Sequence, residues 1–400
     1  MDVVTFPLGK SDKRLNESLK LVFKRMSWIK PMMHLRRILL FFFFGFLTLL
    51  PSRVHVALAG DSPVLGSRYL SGRALAMGGT YIEQADDAMS SLFYNPAGIA
   101  KIRGFQFEPL NAQVQINSGA AAGLSTSIID LPNFSEYKSV IDATPGVYHG
   151  GSLTVAPAVG FRGFALGVLL HESAAGKLED DGTYSIRGHR EIVPAVGFGL
   201  RLASGVVRLG YSGQYVSKTE GEATDIAAST SRDWHDGMPE GAGLSHNAGF
   251  ALNLPVNYAP SFNFVARNIG GLSFSQSPLF SLASGSSGTP ASVSATYDAA
   301  YGMHFKLTSG GSIHVSTEYR DILGASGMPI PSRIGLGVEA NIAGKIQLRG
   351  GINAGWLSWG VGLTGRKSAL HFGFYSEERG TGFLSEGDPR WFLQWEARVF

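Results

Sequence analysis

The chain has 400 residues, of which 44% are hydrophobic and only 16% charged, with 52 glycines, 25 phenylalanines and no cysteine. A mean hydropathy of only +0.08, with no long apolar run beyond the N-terminal region, excludes a bundle of membrane-spanning helices. The absence of cysteine excludes a disulfide framework and a thiolate metal site.

The formal charge of +3 is misleading, because ten of the 34 basic residues and only three of the 31 acidic ones fall in residues 1–59. The remainder carries 24 basic against 28 acidic side chains, about −4, so nucleic-acid binding loses its electrostatic footprint. Residues 30–37 are basic, 38–50 (ILLFFFFGFLTLL) are apolar, and Ala57-Leu58-Ala59 is a small-x-small site. This layout predicts a signal peptide over 1–59, cleaved after Ala59. Read as an anchor, the thirteen-residue core would reach ~20 Å, short of the ~30 Å hydrocarbon layer. The flank before the core is long, and Met32 or Met33 would make a more ordinary start.

Residues 60–103 lack a two-residue period and read as short helices with glycine-rich turns. Asp86 or Asp87 is placed to cap a helix through Ala88, Met89, Leu92 and Phe93. Pro96 should end it, since the residue before a proline is pushed out of the α region.

From residue 104 the chain turns to segments of about ten residues with alternating or glycine-interrupted apolar patterns. Fourteen strands are predicted: 104–117, 152–162, 163–171, 191–202, 205–217, 243–254, 258–268, 294–307, 311–320, 331–341, 344–352, 355–365, 367–376 and 391–400. Tight links alternate with long ones at 118–151, 172–190, 218–242, 269–293, 321–330 and 377–390. That alternation predicts short periplasmic turns, longer outer loops and both termini in the periplasm. One outer link breaks the rule, because Asn353-Ala354 is as short as an inner turn; a low rim or a misplaced boundary is expected there. In 311–320 the apolar phase runs through Ile313, Val315, Thr317 and Tyr319, leaving His314, Ser316 and Glu318 for the lumen. In the last segment Trp391, Leu393, Trp395, Ala397 and Val399 face lipid, and the tryptophans suit an interfacial aromatic girdle. Terminal Phe400 is out of phase with that stripe.

Together these readings define an all-β fold: a transmembrane antiparallel barrel of about 14 strands over 104–400, with a small helical plug over 60–103. A soluble sandwich or propeller would explain the alternation, but not the glycine-rich strands, the plug segment and the terminal aromatic together.

Three pieces near the N-terminus, Arg73-Ala74-Leu75-Ala76-Met77-Gly78-Gly79, Ala85-Asp86-Asp87-Ala88 and Tyr94-Asn95-Pro96-Ala97-Gly98, resemble in order the signature of the FadL superfamily of outer-membrane barrels. That superfamily includes fatty-acid and aromatic-hydrocarbon channels and PorV-like barrels. The resemblance implies a plug motif at Asn95, Pro96, Ala97 and Gly98, and an outer-membrane location. Near the C-terminus, Arg349-Gly350-Gly351-Ile352-Asn353, Tyr375-Ser376-Glu377-Glu378-Arg379-Gly380 and Asp388-Pro389-Arg390-Trp391 are similar to the closing strands of PorV-like and TraF-like barrels. Arg267-Asn268-Ile269-Gly270 belongs to the same likeness. A terminal aromatic, here Phe400 with Trp391 and Trp395, resembles the signal read by the barrel assembly machinery.

Catalytic motifs fail on inspection. Gly60-Asp61-Ser62 has no strand before it. Gly360-Val361-Gly362-Leu363-Thr364-Gly365-Arg366-Lys367-Ser368 misses phosphate-loop spacing by one residue and reads as a hairpin turn. No metal ligand set is spaced for zinc, and no cofactor is implied. Glu179-Asp180-Asp181 and Arg232-Asp233-Trp234-His235-Asp236 read as solvated loop charge rather than a cation site. The expected function is passage of a small hydrophobic ligand through a non-enzymatic barrel in outer-membrane lipid. The other reading is a PorV-like barrel that docks a secretion or surface protein partner.

Overall fold

A computed structural model of the chain describes residues 68–117, 134–227, 233–275, 277–307 and 310–399. The signal segment with Ala57 and Ala59, Gly60-Asp61-Ser62 and Phe400 lie outside the described residues.

Fifteen segments form one antiparallel sheet among the described residues. They are β1 (Gln106–Asn117), β2 (His149–Val155), β3 (Ala158–Phe161), β4 (Phe164–Leu178), β5 (Tyr184–Leu202), β6 (Val207–Ile226), β7 (Glu240–Asn253) and β8 (Ser261–Arg267), followed by β9 (Thr296–Lys306), β10 (Ser312–Tyr319), β11 (Ile334–Ile342), β12 (Ile346–Asn353), β13 (Trp356–Thr364), β14 (Ser368–Glu378) and β15 (Gly387–Val399). β15 returns to β1, with Trp395 opposite Ala112 and Leu393 opposite Val114. Closure leaves no margin of unpaired amides, which hydrocarbon would not tolerate.

β2 and β3 are halves of one stave, both paired to β1 and β4. Pro157 interrupts it, but the gap stays bonded: Ala156 N donates to Asn111 O at 2.8 Å and Val168 N to Pro157 O at 3.0 Å. The ring therefore has fourteen staves, as the alternation predicted.

The predicted phase holds. His314, Ser316 and Glu318 are buried, as are Gln394 and Glu396, while Leu393 and Trp395 stand outward. The lumen is lined by polar groups and the outer face by apolar ones, the arrangement a membrane barrel needs.

Three expectations are corrected. The loops expected at 172–190 and 218–242 shrink, because β4, β5 and β6 run on to Leu178, Tyr184 and Ile226. Beyond Leu170 and Ile192 the outward phase carries Glu172, Arg190 and Thr219 instead of hydrophobics, so the two-residue apolar signal ends before the hydrogen bonding does. The expected loop 118–151 contains a helix, α3 (Phe134–Asp142). The segment read as solvated charge buries Trp234 and His235, and the indole packs edge-on against Phe134 with ring centres 5.2 Å apart. The short link at Asn353 is a genuine low rim, a turn through Ala354 at φ 50° and Gly355 at φ 88°. Gly365, Arg366 and Lys367 form the β13–β14 hairpin turn as expected.

Candidate functional site

Inside the ring sit α1 (Gly72–Ala76), α2 (Ala88–Phe93) and a 3-10 turn over Pro96–Lys101. Each starts where its sequence dictates. Ser71 caps α1, accepting from Ala74 N at 3.2 Å. Asp87 accepts from Ser90 N at 2.6 Å while Ser90 Oγ accepts from Asp87 N at 3.3 Å, a reciprocal capping box.

Asn95 joins three pieces of chain. Its Oδ1 accepts from Ala97 N at 3.0 Å, and its Nδ2 donates to Ile82 O at 3.0 Å and to Asn263 Oδ1 on β8 at 3.2 Å. Pro96 opens the 3-10 turn, where its missing N–H costs nothing. Glycines let the wall meet this backbone: a Cβ on Gly210 would lie 2.0 Å from the Pro96 carbonyl, and one on Gly249 2.2 Å from Asn95 Oδ1. Gly98 is equally tight, 2.6 Å from Ser91 Oγ. Of the four residues expected to form the plug motif, Asn95, Pro96 and Ala97 thus lie against β6, β7 and β8, whereas Gly98 packs against Ser91 and Ala85 of its own segment.

The carbonyls at the end of α2, which the helix cannot satisfy, are taken up by wall side chains. Leu92 O accepts from Ser212 Oγ at 2.9 Å and Gln214 Nε2 at 3.0 Å. Arg267 donates to Phe93 O at 2.6 Å and Tyr94 O at 2.9 Å, while its Nε pairs with Asp298 at 2.7 Å. A cation there also suits the negative end of the helix.

The opposite half of the lumen is ionic. Arg73 of α1 makes two bonds of 2.8 Å to Glu339, which also accepts from Arg349 at 2.7 Å. Arg349 reaches His371 at 3.0 Å, and His371 lies 3.4 Å from Glu396. Glu318 accepts from the amides of Tyr81 and Ile82 at 2.5 and 2.6 Å, and Arg320 donates to Gly78 O at 2.8 Å. Pairing at this density compensates the cost of burying so many charges.

None of Arg267, Glu318, Arg320 and Glu339 was recognised from sequence as holding the plug. Their signal was present as charged residues in phase with the lumen, and Arg73, Arg267 and Arg349 already stood in the strings that carried the resemblance. Trp391 packs outside the barrel with Phe372 at 5.6 Å and Trp359 at 5.7 Å. Trp395 stands further along β15, also outward. Among the described residues no cluster of three or more His, Asp or Glu is placed to hold a metal ion.

Two plug carboxylates are tuned in opposite directions. Burial, then the charges of Asp86 and Glu396, push Asp87 up to about 6. Glu83 also feels burial, yet hydrogen bonding to His314 at 2.8 Å and the charge of Lys101 hold it down to about 2. A carboxyl raised in the docked plug favours docking most when protonated. Asp87 therefore contributes stability below the ordinary carboxylate range, and that stability is lost as pH rises through about 6. Glu83 gives the reverse, a contribution lost only on acidification toward about 2. The thermal midpoint in detergent is expected to fall between roughly pH 4 and 7, and Asp87→Asn, which keeps a capping side chain, should flatten that slope. An unchanged slope in the variant would remove Asp87 as its source.

No family profile matches the chain, and no curated protein does. Solved structures similar to it include the Pseudomonas putida toluene transporter TodX, at 12% identity and TM-score 0.43, covering 82% of this chain and 96% of that one. A Pseudomonas aeruginosa FadL homologue matches at 10% identity and TM-score 0.47, covering 82% and 98%. The Salmonella typhi outer membrane phospholipase OMPLA matches at 10% identity and TM-score 0.30, covering 80% and 98%. The chain's own strand pairing defines its class: a closed antiparallel barrel of fourteen staves with short N-terminal helices.

Proposed function

We propose that this chain is a FadL-superfamily barrel that passes small hydrophobic molecules across the outer membrane, with residues 60–103 as its hatch. One observation carries this reading: a single cluster of buried apolar residues links the loop between β8 and β9 to the plug inside an otherwise polar lumen. It begins at Leu272, with Phe274 and Val293, in the loop between β8 and β9. It continues through Val193 and Val216 to Leu92 and Phe93 of the plug, and ends at Ile102. A hydrophobic solute gains by exchanging water for such a lining, whereas the ionic half offers it nothing. In this reading the α1 side anchors the hatch and the α2 side moves.

Placing a charge at Leu272, which is 1% exposed, should interrupt the seam. Leu272→Asp is expected to reduce uptake of labelled toluene or oleate at least about tenfold, since an unpaired buried charge costs more than the ~1.4 kcal/mol this represents. Equal uptake by cells with and without the gene would end the transport reading.

A second reading is favoured by exposed apolar tips on the loops, Leu279 at 78%, Leu323 at 56% and Leu384 at 44%. They suit docking of a secreted or surface protein, as in PorV-like barrels. Deleting 277–285 would then abolish partner retention and leave solute uptake intact.

In the transport reading the short turns face the periplasm, and the last strand with Trp391, Trp395 and Phe400 engages the assembly machinery. Residues 1–59 are removed during export, and N-terminal sequencing of the exported chain is expected to begin at Gly60. An intact N-terminus on the folded barrel would sink that assignment.

A further inference from the structure

The turn end of the barrel carries a feature that neither solute passage nor partner docking uses. On the outward face, Ile346, Leu363, Leu370 and Trp395 lie in register across β12 to β15. They are 41%, 52%, 40% and 49% exposed. The small residues Gly365, Ser368 and Ala369 sit beside this row, so the surface dips into an apolar groove of about 540 Å³.

Lys345 lines one edge of the groove. Lys345 and the next turn's Arg366 and Lys367 are all exposed, and the two turns are tied together by Thr364 N donating to Lys345 O at 2.8 Å. Among the described residues none of these three cations has an acidic partner, whereas neighbouring Arg398 is ion-paired to Glu396. Among the described residues of the turns and loops, exposed charge is sorted by end. Other exposed residues in and beside the short turns include Arg162, Arg201 and Lys306, while the loop end exposes Asp180, Asp181, Glu222 and Asp225.

We infer that this groove is a binding site for an anionic glycerophospholipid of the periplasmic leaflet. An acyl chain lies along Ile346, Leu363 and Leu370 beside Trp395, and the phosphate sits among Lys345, Arg366 and Lys367. An apolar trough alone would accept any lipid tail; three unpaired cations at its rim select a tail that ends in negative charge. A tryptophan at headgroup depth suits the boundary between the two. The inference rests on the outer-membrane reading, because only there does the turn end meet a phospholipid leaflet.

The test compares the full-length exported protein with Lys345→Gln/Arg366→Gln/Lys367→Gln and with a control, Arg162→Gln/Arg201→Gln/Lys306→Gln, altered elsewhere on the same rim. All three are purified from the membrane fraction, checked for heat-modifiable mobility, and titrated by native mass spectrometry with phosphatidylglycerol, phosphatidylethanolamine, glycerol phosphate or inorganic phosphate. The wild type and the control are expected to hold one phosphatidylglycerol in preference to phosphatidylethanolamine. The groove variant should lose at least about tenfold in that affinity. Glycerol phosphate and inorganic phosphate should not displace the lipid. Equal loss in both variants, or displacement by inorganic phosphate, would mean a general cationic rim rather than a lipid site and would overturn the inference. A wild-type chain recovered folded in the membrane but without lipid preference refutes this site alone. A chain recovered outside the membrane refutes the outer-membrane reading and the site with it.

Discussion

Replacing Glu339 with Gln is expected to destabilise the plugged barrel by roughly 3–5 kcal/mol, the usual penalty for removing one partner of a buried ionic cluster. Glu339 is the only carboxylate bonded to both Arg73 and Arg349 among the described residues. Glutamine fills the same space but leaves the buried Arg349 and the partly exposed Arg73 guanidinium side by side without the negative charge between them. The midpoint of thermal unfolding in detergent should fall on the order of 10 °C. Adding Arg73→Met should recover part of that loss, because a missing pair costs less than a stranded charge. A midpoint equal to that of the wild type would show that α1 is held by packing alone, and that the ionic half of the lumen contributes no net anchoring.

Gly210→Ala should act on the other half of the plug. The added methyl would fall 2.0 Å from the Pro96 carbonyl, a backbone group that cannot rotate away. Either the 3-10 turn lifts off β6 or the stave bends, and overpacking of this kind costs about 1–3 kcal/mol. On the docking equilibrium that is about a 5- to 150-fold rise in the open fraction. In planar bilayers the variant is expected to show sustained ion conductance that the wild type lacks. Gly213→Ala, three residues along the same strand and with no contact closer than 3.7 Å, should conduct like the wild type. Matching traces for Gly210→Ala and Gly213→Ala would mean that the hatch does not seal against β6, and would remove the movable α2 side from the transport reading.

The two variants probe features of unequal legibility. Asn95-Pro96-Ala97-Gly98 was visible as a string, and its local behaviour follows from short-range chemistry: an asparagine side chain reaching its own backbone two residues on, a proline opening a turn. Its glycine counterparts Gly210 and Gly249 read only as strand glycines, because nothing local says what approaches them. Glu339 was visible as a lumen-facing acid by phase, yet its partners Arg73 and Arg349 lie 266 and 10 residues away. No spacing rule links those positions.

A two-residue period tells which side of a strand meets lipid, and turn residues tell where the chain reverses. The order of fourteen staves, the polar phase of the lumen and a helix cap at Asp86 or Asp87 were therefore open to reading from the amino-acid string alone. Both signals are local, and both fade where the outer face leaves the hydrocarbon, which is why β4, β5 and β6 proved longer than expected. Folding in three dimensions had to decide the register that closes β15 onto β1, the helix at 134–142 against Trp234, and the choice of wall residue facing each turn of the plug. Those outcomes depend on how far the ring is sheared when it closes, a property of all the staves at once that no single segment of sequence contains.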